Sequence, residues 1–307
     1  MREVLEAKEN SGEIAAFFDL DGTLTALPSL ERRFIRMLRS RRAIPARNYF
    51  FWLREAARLL PHGITAVWHA NKMYLRGVRS LPESDGRDDA IFPRHKSGQQ
   101  TEGQAPAPSS RRTRQNPRLP VPAFFAEAIE RVEWHAKQGH TIVIVSGTLE
   151  PLASAAALSL LLRLAVGGST HLIGVCATKL EEAEGRWTGQ VVGEATFGEA
   201  KARAVECIAR EMKLDLKKSY AYGDSVNDRW LLEAVGRPAA VNPSRELGRI
   251  ARRRGWPVLC WDRGKKMIPQ TRNDGTKASA GRKGIAMSPS RSCGVRSPRA
   301  EIAERTG

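Results

Sequence analysis

Cysteine is sparse in this chain and widely scattered. Cys176, Cys207, Cys260 and Cys293 form no C-x-x-C pair, so their spacing suggests neither a disulfide framework nor a zinc site. A reducing compartment is the expected setting. No apolar run approaches the roughly 18 residues a spanning helix needs. Met1 to Gly12 is polar and charged, which does not read as a signal peptide. These absences predict a soluble, cytoplasmic protein. Zinc-finger spacing and aromatic-basic RNA motifs are missing too, so no specific nucleic-acid partner is predicted. No internal repeat interrupts the pattern.

Positive charge is abundant but unevenly placed. Of a net +17, residues 31–79 carry 12 Lys or Arg against two Asp or Glu, and residues 263–307 carry 11 against three. Residues 1–30 and 121–262 together are slightly acidic, at −3. The basicity therefore belongs to one module and a tail. Such a module favours a phosphorylated substrate or weak contact with an anionic membrane surface. Hydrophobic residues make up 41% of the 307, enough for a substantial core.

Along the chain, "EIAAFFDL" (residues 13–20) reads as a short buried strand. Three helical segments follow, "LERRFIRMLRSRR", "ARNYFFWLREAARLL" and "GITAVWHANKMYLRG", separated by Pro45 and Pro61. From Pro82 to about Pro120 apolar periodicity vanishes among Pro, Gly, Ser, Gln and charge, a composition expected to be disordered. Helix and strand then alternate over 121–262, with "GRWTGQVVG" as a small hairpin. That alternation predicts an α/β fold, a parallel sheet flanked by helices on both faces. The domain expectation is a core of 13–29 and 121–262, a helical cap of 30–80 running into a disordered insert 81–120, and a basic disordered tail 263–307.

In such a sheet, ligands sit at the carboxyl ends of the strands. Asp19 and Asp21 end the first strand, Ser146 ends the second, and Asp224 and Asp228 follow "SYAYG"; Lys201 opens a helix between them. Carboxylates, a hydroxyl and an ammonium at one rim suit a dianionic phosphate with a divalent cation, Mg²⁺ above all, which takes hard oxygen ligands. The cation also resolves the repulsion between Asp19 and Asp224.

Those motifs make the chain similar to the haloacid dehalogenase-like (HAD) hydrolases. They read Asp19-Leu20-Asp21-Gly22-Thr23, Ser146-Gly147-Thr148, Lys201, and Gly223-Asp224-Ser225-Val226-Asn227-Asp228. "WHAKQGHTIVIVSGT", "GEAKA" and "SYAYGDSVND" resemble subfamily IB, the phosphoserine-phosphatase-like branch. The resemblance implies a HAD-type Rossmann-like sheet with an inserted α-helical cap, and a Mg²⁺-dependent phosphomonoesterase acting on a small phosphorylated metabolite. It implies that Asp19 forms an aspartyl-phosphate and that Asp21 carries the proton for leaving group and water. Ser146 and the Gly147 N–H would bind phosphate, and Lys201 would neutralise it. Asp19, Asp224 and the Asp21 carbonyl would hold the metal, with Asp228 on a metal-bound water or on Lys201. Where phosphoserine phosphatases of this branch have a cap glutamate, this chain has Pro28, with Glu31 the nearest carboxylate. Two alternatives stay open: a phosphotransferase using the same intermediate, or a polyanion- or membrane-surface-binding protein with a weak or vestigial site. His135 and His140 are expected to cap, pack or meet solvent rather than catalyse. Trp187 and Trp256 are expected to pack, and Asn227 either touches substrate or caps the following helix.

Overall fold

The computed structural model describes residues 13–81, 122–165 and 173–261. Most of the expected insert (82–120) and the tail lie outside the described residues. Six parallel strands form one sheet in the order β3-β2-β1-β6-β7-β8. They are β1 (Ala15–Phe18), β2 (Thr141–Leu149), β3 (Ile173–Thr178), β6 (Tyr220–Gly223), β7 (Arg237–Val241) and β8 (Val258–Leu259). β4 (Leu180–Ala183) and β5 (Arg186–Val191) pair antiparallel as the predicted hairpin.

β1 is buried on both faces because helices cover both sides of the sheet, as parallel strands require. Its alternation divides the core. Ala16 and Phe18 join Ile142, Ile144 and Tyr222 on one face, while Ala15 and Phe17 join Val143, Val145 and Ala221 on the other. The chain extends the sheet from β1 through β2 to β3, then returns to add β6 beside β1. That reversal opens a switch point at the carboxyl ends of β1 and β6.

Three helices lie between β1 and β2 in the chain: α1 (Leu30–Ser40), α2 (Arg47–Leu59) and α3 (Ile64–Ala70). The third is shorter than its pattern predicts. Asn71 leaves helical geometry at ψ 99° and donates its side-chain amide to the Trp52 carbonyl at 2.8 Å. Its side-chain oxygen accepts from the Met73 N–H, so the chain turns into a single 3₁₀ turn at Met73–Leu75. Local hydrogen bonding by an Asn has won over helical propagation. After β1 and these helices come α4 (Ala126–Lys137), α5 (Glu150–Ala165), α6 (Glu199–Glu211), α7 (Arg229–Glu233) and α8 (Arg245–Arg254). The hairpin closes on the stretch after α3, through Gly77 N–H to Trp187 O at 2.7 Å and Trp187 N–H to Val78 O at 3.0 Å. Trp187 packs edge-on against Phe34 of α1, and Trp256 packs against the second core face, both as expected. Cys176 and Cys207 are free thiols.

His135 and His140 join an aromatic cluster rather than the rim. His135 is fully buried, sharing hydrogen bonds with Tyr222 Oη (2.9 Å) and His140 Nδ1 (2.8 Å) against Phe18. Burial, with His140 and Arg131 adding to it, pulls its pKa down to about 3. The unfolded chain takes up this proton below about 6.5, while the folded chain resists until about 3. Stability is therefore lost as pH falls through that window, by at most about 1.4 kcal/mol per pH unit for one such group. The buried Asp19 and Asp224 carboxyls, with raised pKa values, act in the opposite sense, so the test is comparative: from pH 7 to pH 5 the urea midpoint of wild type is expected to fall relative to that of His135→Phe.

Candidate active site

Three carboxylates and one ammonium meet at the switch point. Asp19 follows β1 directly, its N–H bonded to Tyr222 O at 2.9 Å. Lys201 is the third residue of α6, and its side chain is buried. Its Nζ donates to Asp19 Oδ1 and to Asp228 Oδ1, each at 2.6 Å. Asp228 Oδ2 accepts from the N–H groups of Asp224 (3.2 Å) and Ser225 (2.9 Å) and from the Ser225 hydroxyl (2.8 Å). Both oxygens of Asp228 are thus engaged, one on Lys201 and one on its own turn. That turn begins at Ser225, so Asn227 is not the capping residue.

Asp19, Asp224 and Asp228 each offer an oxygen within 4.8 Å of the others. Against the single ammonium they leave two excess negative charges. Burial raises the pKa of Asp19 against the pull of Lys201, and burial with Asp19 and Asp228 raises that of Asp224. Burial disfavours the Lys201 ammonium, but Asp19 and Asp228 outweigh it and hold its pKa above the ordinary value. A divalent cation would supply the missing charge, and an all-carboxylate donor set is chemically suited to Mg²⁺. Space is tight around this set. Gly22 sits at φ +99°, and a Cβ there would overlap the Asp224 carboxylate; one on Gly223 would overlap Asp228.

Asp21 stands apart from this cluster. Its Oδ1 accepts from the Leu30 N–H at 2.8 Å, at the start of α1, and its Oδ2 accepts from the Thr148 hydroxyl at 2.9 Å. Burial raises its pKa although both donors oppose the shift. The two aspartates of the first motif therefore occupy different environments, one on an ammonium and one on neutral donors.

Ser146 is buried at the end of the regular part of β2. Its Oγ accepts from the Thr148 N–H at 3.2 Å, which leaves the hydroxyl proton to donate elsewhere. Gly147 lies beneath the loop before α6, where a Cβ would come within 3.3 Å of Thr196 O. Thr148 had been read only as part of the S-G-T motif; its hold on Asp21 needs the fold to be seen.

A second polar cluster comes from the α1–α3 region, with no signal in the sequence. Lys72 is buried and bonds Glu31 Oε1 at 2.6 Å, and the Tyr74 hydroxyl donates to the same oxygen. His69 stacks on Phe197, with ring centroids 3.2 Å apart, and its pKa is pulled down to about 4 by burial and then by Lys72. Lys201 and Glu31 also act on His69 and on Asp21, so this cluster faces the carboxylate rim.

A doubly wound sheet with these groups at its switch point defines a Rossmann-like α/β protein equipped to hold a phosphorylated, metal-associated ligand. The chain belongs to the haloacid dehalogenase-like hydrolases, whose family model matches residues 16–233. It is 37% identical over 263 residues to the "Probable phosphatase Rv3661" of Mycobacterium tuberculosis, covering 81% of this chain and 76% of that protein. It is also 35% identical over 129 residues to the M. tuberculosis "Phosphoserine phosphatase SerB1", spanning 42% of this chain and 39% of that one. Among solved structures, a protein of unknown function from Bordetella pertussis Tohama I is similar at a TM-score of 0.53 and 27% identity. That likeness covers 81% of this chain and 98% of the other. The chain is thus a hydrolase of this family, and the two M. tuberculosis relatives above are named as phosphatases.

Removing one partner from a buried ionic network leaves its counter-charges stranded. Lys201→Met is expected to destabilise the metal-free protein by about 3–5 kcal/mol, read as a lowered urea midpoint. A midpoint within error of wild type would mean that Lys201 does not hold Asp19 and Asp228 together in solution.

Proposed function

We propose that the protein is a Mg²⁺-dependent phosphomonoesterase acting on a small phosphorylated metabolite through an aspartyl-phosphate at Asp19. The observation that carries this reading is the unequal treatment of Asp19 and Asp21. Asp19, on the Lys201 ammonium, is the nucleophile: its carboxylate attacks phosphorus and displaces the alkoxide. Asp21, on Leu30 N–H and Thr148, holds a proton and delivers it to the leaving oxygen. It then accepts a proton from the water that cleaves the aspartyl-phosphate.

Lys201, the Ser146 hydroxyl and the Gly147 N–H bind the phosphoryl oxygens, and positioning with charge neutralisation supplies most of the rate. Asp19, Asp224 and the Asp21 backbone carbonyl would hold Mg²⁺, which supplies charge stabilisation for the transferred phosphoryl group. With both of its oxygens engaged, Asp228 positions Lys201 and the turn that presents Asp224. Residues 30–80 act as a cap over the core of 13–29 and 121–262. The stacking of His69 on Phe197 and the Glu31–Lys72–Tyr74 cluster support that arrangement. Because Lys72 and Tyr74 already occupy Glu31, a substrate ammonium has to compete for it. Preference for O-phosphoserine is therefore expected to be weak.

The test is a panel of phosphomonoesters, O-phosphoserine included, assayed with Mg²⁺ and with chelator. Wild type is expected to turn over with Mg²⁺ only, and Asp19→Asn not at all. Asp21→Asn is expected to be slowed about 10²–10⁴-fold. Mg²⁺ is expected to raise the melting temperature of wild type but not of Asp224→Ala. Turnover surviving in Asp19→Asn would refute the mechanism.

A further inference from the structure

The fully buried residues of helix α2 are polar, Asn48 and Glu55, with Phe51, Trp52 and Leu59 half-buried. Asn48 Nδ2 donates to Tyr74 O at 3.0 Å and Arg76 O at 2.7 Å, and Glu55 pairs with Arg58 at 2.9 Å. The outward face is apolar. Phe50 is 66% exposed and Leu53 63%, and Ala57 continues the stripe at helical spacing. Leu60 (60%) and Ile64 (66%) follow in the turn and at the start of α3. Of the ten large apolar side chains exposed among the described residues, five lie between Tyr49 and Ile64. A helix packed on its own protein buries its apolar stripe. This one fully buries only polar groups and presents a second apolar stripe outward, as partner-binding patches do.

We propose that this face docks on an anionic bilayer, with Phe50, Leu53, Leu60 and Ile64 entering the headgroup–acyl boundary. Charge selects that occupant. Residues 31–79 contain 12 Lys or Arg and only two carboxylates. Both carboxylates are turned inward, Glu31 onto Lys72 and Glu55 beside Arg58. Arg47, Arg54 and Arg58 are exposed on α2 itself, and the Arg39 guanidinium lies 5.7 Å from the Tyr49 ring centroid. Exposed arginines around an apolar stripe, with no free acid, match an anionic lipid surface. A second copy of this face would bring like charges together. The chain's own residues 82–121 offer only Ile91, Phe92, Leu119 and Val121 as large apolar groups and carry seven Lys or Arg against five acids. No helix among the described residues is long and apolar enough to cross a membrane, so the contact is interfacial.

The experiment is co-sedimentation of the full chain with vesicles of phosphatidylcholine alone and of phosphatidylcholine with phosphatidylglycerol at about 3:1. Binding is expected only to the mixed vesicles, weakening with salt. Phe50→Ser with Leu53→Ser is expected to lower partitioning about tenfold or more, with the melting temperature unchanged because both side chains are exposed. Arg47→Glu with Arg54→Glu is expected to lower it comparably. The proposal is overturned if wild type ignores the mixed vesicles, or if the Phe50/Leu53 variant binds as wild type does. It is also overturned if sedimentation shows a wild-type dimer that this variant dissolves, because the occupant is then a second copy. None of these readouts uses phosphatase activity, so their failure is separate from failure of the proposed reaction.

Discussion

One ammonium joins the three segments of chain on which the site depends. Lys201 reaches from the first turn of α6 to Asp19 at the end of β1 and to Asp228 in the turn after β6. Buried ion pairs contribute little net stability, because desolvation offsets much of the Coulomb gain. Their value here is geometric. Lys201 accepts burial only if both carboxylates are in place, so β1, β6 and α6 must meet in one register. Burial first, and then the surplus of negative charge, raises the pKa values of Asp19 and Asp224, and that surplus favours a cation.

Around that contact the backbone is held to close tolerances by residues without side chains. Gly22 and Gly223 bring Asp224 and Asp228 against the main chain, where a methyl group would displace them. Meanwhile α1 begins at Leu30 and points its first N–H at Asp21. A helix start favours nearby negative charge, yet burial dominates and keeps the Asp21 pKa raised. Two aspartates one residue apart thus acquire different partners, an ammonium for Asp19 and a backbone N–H with a hydroxyl for Asp21.

The region between β1 and β2 follows another logic. Leu30, Phe34, Leu38 and Leu75 join the core, and beside them lie polar contacts: Asn48 and Asn71 on backbone carbonyls, and Lys72 and Tyr74 on Glu31. Buried polar groups paired in this way specify an arrangement rather than add much stability. On α2, Phe50 and Leu53 face outward. The sequence pattern of α2 was read correctly as helical, but periodicity reports only that a stripe exists, not which way it faces.

Much of the fold was legible in the residues. Alternation of short apolar strands with helices specified the parallel sheet, because strands covered on both faces need unbroken apolar runs. Asp19, Asp21, Ser146, Lys201, Asp224 and Asp228 stood out because strand ends in such a sheet converge. Less was legible where one local bond or one distant partner decided. Asn71 stops α3 through its bond to Trp52, Ser225 rather than Asn227 opens the last turn of the site, and Thr148 finds Asp21 from 127 residues away. The chain by itself therefore determined which chemical groups are available and on which strands they end, since those follow from local pattern and order. Only the tertiary structure decided their partners, their burial and hence their charge, and it alone turned the apolar face of α2 outward, because these depend on what each side chain meets across space.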